Sequence, residues 1–144
     1  MTTISKSALV PYSAEEMYKL VADIESYPQF LPWCAGSRIV SRQDTEIEAE
    51  IDMAFGGIHK TFTTRNTLCP GCMDIQLVRG PFSRLEGAWR FQQVGDLGSR
   101  ISLDLEFDFA NRLLAMAVGP VFSTIANSLV DSFKKRAREV YGAR

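Results

Sequence analysis

Two stretches of the chain alternate acidic and apolar residues with almost no fault. They are Glu46–Phe55 (EIEAEIDMAF) and residues 101–109 (ISLDLEFDF). A period of two puts every apolar side chain on one face, so both read as antiparallel strands with one wet and one dry face. Weaker strand patterns cover residues 37–42, 58–68, 73–78 and 85–94. Turn signals part them at Gln43-Asp44, Gly56-Gly57, Pro70-Gly71, Gly80-Pro81 and residues 95–98. Residues 3–10 read as a first strand, closed by Pro11.

The period changes to that of a helix in two places. Ser13-Ala14-Glu15-Glu16 is a capping box, in which Ser13 caps the helix and Glu16 reaches back. Met17, Leu20, Val21 and Ile24 follow at helical spacing and give a short amphipathic helix. A last helix starts at the cap Asn111 and runs to about Tyr141. Leu114, Val118, Phe122, Ile125, Leu129 and Phe133 line one side of it, and Pro120 falls inside and should kink or interrupt it.

The order is therefore strand, two short helices, six strands, long helix, which is an α+β arrangement with a seven-stranded curved antiparallel sheet. Seven strands with one dry face need a cover, and the long amphipathic helix is the cover this chain offers. One helix about 10 Å wide does not fill the concavity of a strongly curved sheet. Either large side chains fill the gap or a ligand does. Phe55, Phe62, Trp89, Phe91, Phe107, Phe109 and Phe122 are the candidate fillers.

Composition narrows the class. A chain of 144 residues, 46% hydrophobic and 23% charged, suits one soluble globular domain spanning 1–144. The net charge of -1 gives no indication of a generally basic nucleic-acid surface, and DNA is not an expected partner. The N-terminus lacks a signal-peptide core, and no apolar run is expected to reach the length of a membrane span. Three cysteines are an odd number without a secretory context, so they read as reduced thiols in a cytoplasmic protein.

Residues 26–34 read Ser-Tyr-Pro-Gln-Phe-Leu-Pro-Trp-Cys. Pro28 and Pro32 keep this apolar stretch from forming a long helix, so it must pack as a core plug or as the rim of an apolar cavity. Together with the element order it resembles the coenzyme Q-binding START-domain family of the polyketide cyclase/START-like superfamily. Matching stretches are Ala8-Leu-Val-Pro-Tyr-Ser13, Lys60-Thr-Phe-Thr-Thr-Arg-Asn66, Gly80-Pro-Phe82 and Arg138-Glu-Val-Tyr-Gly-Ala-Arg144. Within the family the chain is most similar to the bacterial ribosome association toxin branch.

The resemblance implies a helix-grip fold, with the curved sheet wrapped around the terminal helix and an elongated apolar tunnel between them. It also implies non-enzymatic binding of ubiquinone or another polyprenyl lipid in support of respiration, with no required cofactor. For the bacterial branch it implies contact with the large ribosomal subunit that hinders subunit joining. Parity, helical phase and the aromatic segment nominate Leu20, Tyr27, Phe30, Leu31, Trp33, Met53, Phe62, Leu77, Trp89, Phe107, Phe122, Ile125 and Leu129 as the tunnel lining. Tyr27 is the candidate to offer a hydroxyl to a quinone carbonyl.

Other chemistry is weaker. Cys69-Pro-Gly-Cys72 sits on a turn rather than at the helix N-terminus a thioredoxin-like thiolate needs, so it reads as an ordinary turn. Zinc would have to recruit Cys34 or His59 across the fold. His59, the single histidine, has the parity opposite to Phe62 and should face solvent, which leaves the apolar side without the usual general base. No phosphate loop or nucleophile elbow is present. Asp44, Glu46, Glu48, Glu50 and Asp52 make an acidic stripe. Lys134, Lys135, Arg136, Arg138 and Arg144 gather at the chain's end, where they complement the helix C-terminus or meet an anionic partner, either ribosomal RNA or the headgroups of the inner membrane.

Overall fold

The computed structural model describes residues 2–144. Its strands are β1 (Thr2–Val10), β2 (Cys34–Gln43), β3 (Glu46–Phe55), β4 (Ile58–Cys69), β5 (Cys72–Arg79), β6 (Phe82–Val94) and β7 (Gly98–Phe109). All seven pair antiparallel in one curved sheet of order β1-β7-β6-β5-β4-β3-β2. Tight turns make β2 to β7 a continuous meander, and β1 returns to pair with β7. The alternation seen in β3 and β7 is the burial pattern: Ile47, Ala49, Ile51 and Met53 are buried, as are Ile101, Leu103, Leu105, Phe107 and Phe109. Phe55, a candidate filler, breaks that rule. It lies at the end of β3 beside the Gly56-Gly57 turn, 42% exposed.

Two short helical pieces connect β1 to the opposite edge strand β2. The first is α1 (Ala14–Ala22), whose capping box is complete: Glu16 N–H donates to Ser13 Oγ at 3.1 Å, and Ser13 N–H donates to Glu16 Oε1 at 2.9 Å. The second is a 3₁₀ turn over Ile24–Gln29 that holds Pro28. The helix α2 (Arg112–Tyr141) then crosses the dry face of the sheet, started by Asn111 Oδ1, which accepts from Leu114 N–H at 2.9 Å.

Two expectations about α2 need correction. Pro120 does not interrupt it, for the helix is continuous from 112 to 141. Pro120 and Met116 are both exposed, so the carbonyl that proline leaves without its helical donor lies on the solvent side of the helix, where it is open to hydration. An 18-residue window of α2 also reaches a mean hydropathy of 1.7, enough to cross a membrane by length and composition alone. Here that apolarity has a use inside the fold, because Val118, Phe122, Ile125, Ala126, Val130 and Phe133 are buried against the sheet.

The aromatic core has two centres on α2. Phe122 meets Phe107 at a ring separation of 4.7 Å, Phe82 at 4.9 Å and Phe62 at 6.2 Å. Phe133 meets Phe30 at 5.2 Å, Trp89 at 5.3 Å and Tyr27 at 5.5 Å. All six contacts are edge-to-face, the arrangement that sets a ring's positive edge on its neighbour's negative face. Sheet and helix are thus joined mainly by rings.

The chain's end is tied back to its beginning. Tyr12 Oη donates to Gly142 O at 2.6 Å and Tyr141 Oη to Glu16 O at 3.0 Å. Arg144 forks onto Glu16 with bonds of 2.7 and 2.9 Å and lies over the Tyr12 ring. The Arg144 guanidinium and the Ser13 N–H hold the Glu16 carboxyl down at about 2, from an ordinary 4.5. A depressed carboxylate stabilises the fold above its unfolded pKa and loses that contribution as pH falls towards its folded one. Arg144→Ala should therefore lower the urea-unfolding midpoint slightly at neutral pH, as expected for the loss of an exposed ion pair. The difference from wild type should shrink below pH 4.5 and vanish near pH 2. A constant difference across that window would show that the loss is packing on Tyr12 and Tyr141 instead.

Candidate functional site

Between the sheet and α2 lies a cavity of about 100 Å³. Its floor is the inward row of β4, Phe62, Thr64 and Asn66, with Ile51 from β3, Met73 and Ile75 from β5, Leu85 and Trp89 from β6 and Leu105 from β7. Its roof is Phe122, Ile125, Ala126, Leu129 and Phe133 of α2, and Ile24, Tyr27 and Trp33 close one side. Ala126 is fully buried between the two aromatic centres of α2, and its methyl leaves open what a larger side chain would fill.

Of the residues nominated from sequence, Tyr27, Trp33, Phe62, Trp89, Phe122, Ile125 and Leu129 line this space. Leu20, Phe30, Leu31, Met53, Leu77 and Phe107 do not. Leu20 packs from α1 into the part of the core around Met17 and Val21, away from the cavity. Phe30 is turned onto Phe133 and carries the Arg136 guanidinium over its ring at 5.0 Å. Leu31 is the true plug of the aromatic segment, 1% exposed. Met53 is wholly buried where β3 faces Cys34 of β2, and Leu77 packs at the margin of the same core. Phe107 lies behind Phe122 and supports it. The aromatic segment is thus both plug and rim, residue by residue. Reading β4 inward from Phe62 at a period of two would have reached Thr64 and Asn66, and Phe133 already stood on the expected face of α2.

The elongated tunnel implied by the resemblance is a small cavity in this conformation. An engineered protein cavity of about 150 Å³ takes a benzene molecule, and established ligand sites run to about 300 Å³ and above. The aromatic rings fill most of the concavity.

Chemically the cavity is neutral. Its lining holds no Asp, Glu, His, Lys, Arg or Cys, and Tyr27 is its only titratable group. The Tyr27 hydroxyl donates to Val21 O, and burial pushes its pKa up, with Cys34 and Asp23 adding to the shift. It is committed to the backbone and not free for a quinone carbonyl. Three lining residues carry other polar groups. Thr64 Oγ1 donates to Asn66 Oδ1 at 3.2 Å, and the buried Trp33 Nε1 has no hydrogen-bond partner among the described residues. His59 is exposed, as its parity requires.

Cys69 and Cys72 stand side by side, placed to pair as a disulfide. They are register partners flanking the Pro70-Gly71 turn, with Cα atoms 5.0 Å apart, inside the range a disulfide spans. Cys34 is free and buried, and burial raises its pKa. The acidic stripe is largely paired: Arg38 binds Glu50 and Asp52, and Arg65 binds Glu46 at 2.8 Å and Glu48 at 3.4 Å. In the basic cluster, Lys134, Lys135 and Arg138 are exposed. Arg136 is engaged with Phe30 and donates to Gln29 Oε1 at 3.0 Å, so it is a packing residue.

The family model for polyketide cyclase / dehydrase and lipid transport matches residues 10–134. The chain belongs to this family. It is 48% identical over 145 residues to the ribosome association toxin RatA of Escherichia coli, a match covering 100% of this chain and 92% of that one. It is also 28% identical to the coenzyme Q-binding protein COQ10 homolog B, mitochondrial, of Xenopus laevis, covering 96% of this chain and 59% of the relative. A START superfamily protein from Mycobacterium smegmatis shares the fold at a TM-score of 0.82 and 21% identity, over 96% of this chain and 98% of that one.

Two candidate fillers should now differ sharply on truncation. Phe122→Ala removes a ring packed on four others and should cost about 3–5 kcal/mol in chemical denaturation. Phe55→Ala, at its exposed turn, should stay within about 0.5 kcal/mol of wild type. Equal losses would contradict the placement of Phe122 at the helix–sheet contact.

Proposed function

We propose that this protein is a non-enzymatic binder of an apolar ligand, ubiquinone or another polyprenyl lipid, held between the sheet and α2. The observation that carries the reading is an uncharged aromatic cavity roofed by a single helix and sided by Tyr27 and Trp33. The family's description includes lipid transport, and one relative is named for coenzyme Q binding; both support it. Binding is transfer of apolar surface out of water, at about 25 cal/mol per Å² buried. At about 100 Å³ the cavity must widen, by displacement of α2 or of the aromatic rings, before a prenyl chain enters. The neutral lining offers no acid–base pair for a cyclase-type reaction, which supports a carrier or chaperone in respiration over an enzyme.

Native mass spectrometry of freshly purified protein, with solvent extraction of any bound lipid, tests this directly. The expected result is a mass shift from a quinone or related isoprenoid, absent in a folded Leu129→Asp variant. A ligand-free mass that stays unchanged after incubation with ubiquinone would reject the reading.

A second reading is a regulator that binds the large ribosomal subunit and hinders subunit joining. The named relative at 48% identity and the exposed Lys134, Lys135 and Arg138 on the last turns of α2 support it. It places the protein in the cytoplasm, whereas the lipid reading adds contact with the inner membrane surface. Co-sedimentation with large subunits should weaken with salt and in Lys134→Glu, Lys135→Glu or Arg138→Glu, because each lost cation–phosphate contact removes released counterions. Sedimentation indifferent to both salt and these charges would exclude the basic face as the contact.

A further inference from the structure

The dry face of β4 carries two polar residues, Thr64 and Asn66, among apolar cross-strand neighbours. Thr64 and Asn66 continue the inward row of Phe62 and are only 6% and 5% exposed. Asn66 stands between Ile47 of β3 and Ile75 of β5 in register, and Thr64 between Ala49 and Leu77. An amide in such surroundings is unfavourable unless its donors and acceptor are satisfied. The Thr64 hydroxyl satisfies Asn66 Oδ1 at 3.2 Å, and the amide has two N–H donors besides.

A second observation comes from another element. Trp33 lines the same cavity, is 7% exposed, and its buried indole N–H has no hydrogen-bond partner among the described residues. Indole nitrogen is a donor only. The indole N–H of Trp33 and the amide N–H groups of Asn66 are thus the donors this cavity can offer to an acceptor. The complementary group is not a carboxylate or phosphate, because no cationic side chain lines the cavity to neutralise it. Nor is a hydrocarbon complementary, since it would leave these donors unpaired.

We propose that Trp33, Thr64 and Asn66 form a hydrogen-bonding pole that receives a neutral acceptor oxygen, so that the cavity selects carbonyl-bearing apolar molecules over hydrocarbons and ionised lipids. Trp33 Nε1 and the Asn66 amide donate to the ligand oxygen, and Thr64 orients the amide by occupying its Oδ1. This rests on the reading of the cavity as a ligand site and names the chemistry that site recognises.

The test is equilibrium dialysis of wild type, Asn66→Leu, Thr64→Val and Trp33→Phe against decyl-ubiquinone and decylbenzene, which share a tail and differ in the oxygens of the head ring. Circular dichroism confirms folding, and the near-isosteric Thr64→Val with the smaller-ringed Trp33→Phe carries the test if Asn66→Leu does not fold. Loss of one buried hydrogen bond corresponds to roughly a tenfold change in Kd. Trp33→Phe and Asn66→Leu should weaken decyl-ubiquinone by about that factor and leave decylbenzene unchanged, with a smaller effect of Thr64→Val. Equal losses for both ligands, or none for the quinone, would overturn the pole while leaving the cavity reading intact. Failure of wild type to bind either ligand would overturn the cavity reading and the pole with it.

Discussion

One helix has to cover the dry face of seven strands, and the rest of the molecule follows from that mismatch. A straight rod laid on a curved sheet touches it along a limited track, and the remaining gap must be filled from both sides. Large flat side chains do this at low conformational cost. Phe62, Phe82, Phe107 and Phe109 rise from the sheet around Phe122, and Trp89, Tyr27 and Phe30 gather around Phe133. Between those two sets α2 presents Ala126, and there the filling stops. The cavity is thus not a separate device added to the fold. It is the stretch of the helix–sheet gap that the small residue leaves unfilled.

The strands were legible because a half-buried antiparallel strand writes its two faces directly into a period of two. β3 and β7 needed no other information. The terminal helix was legible for a similar reason, since its apolar positions recur at helical spacing and Asn111 marks its start. Depth along each element was another matter. Parity tells which side of a strand Met53 and Phe107 occupy, and both are on the dry side as expected. It does not tell how far the sheet has curved at that point, and so whether a dry-side residue meets the cavity or another side chain. Leu20 shows the same limit for a helix: its phase on α1 was right, but α1 packs away from the cavity.

Polar residues were harder to read than apolar ones. The acidic stripe of β3 lies on the wet face its parity implies, but the sequence does not show that Arg38 and Arg65 arrive from the neighbouring strands β2 and β4 to pair with it. Thr64 and Asn66 passed unnoticed because threonine and asparagine on a strand look like ordinary solvent-facing residues. Their parity with Phe62 places them inside. Cys69 and Cys72 were judged by the demands of a redox helix, whereas a two-residue hairpin makes them register partners within bonding distance. In each case the missing information was the identity of the cross-strand neighbour.

The two functional readings draw on different faces of one helix and do not compete for residues. Phe122, Ile125, Ala126, Leu129 and Phe133 face the cavity, while Lys134, Lys135 and Arg138 face solvent on the turns that follow. Arg136 belongs to neither set, because Phe30 and Gln29 hold it against the 3₁₀ turn. That contact, with the Tyr12, Tyr141 and Arg144 ties to Gly142 and Glu16, fastens the C-terminal end of α2 to α1 and the segment after it. The N-terminal half of the helix carries Leu113 and Met116 exposed to solvent at 76% and 71%, beyond the aromatic cluster around Phe122. Widening the cavity by tilting α2 about its fastened end disturbs rings at Phe122 but preserves the charge cluster at Lys134 and Lys135. Tilting it about the other end would break an exposed ion pair and two tyrosine hydrogen bonds as well. The two ends of α2 are thus held by different means, rings alone at Phe122 and rings with polar ties at Phe133 and beyond.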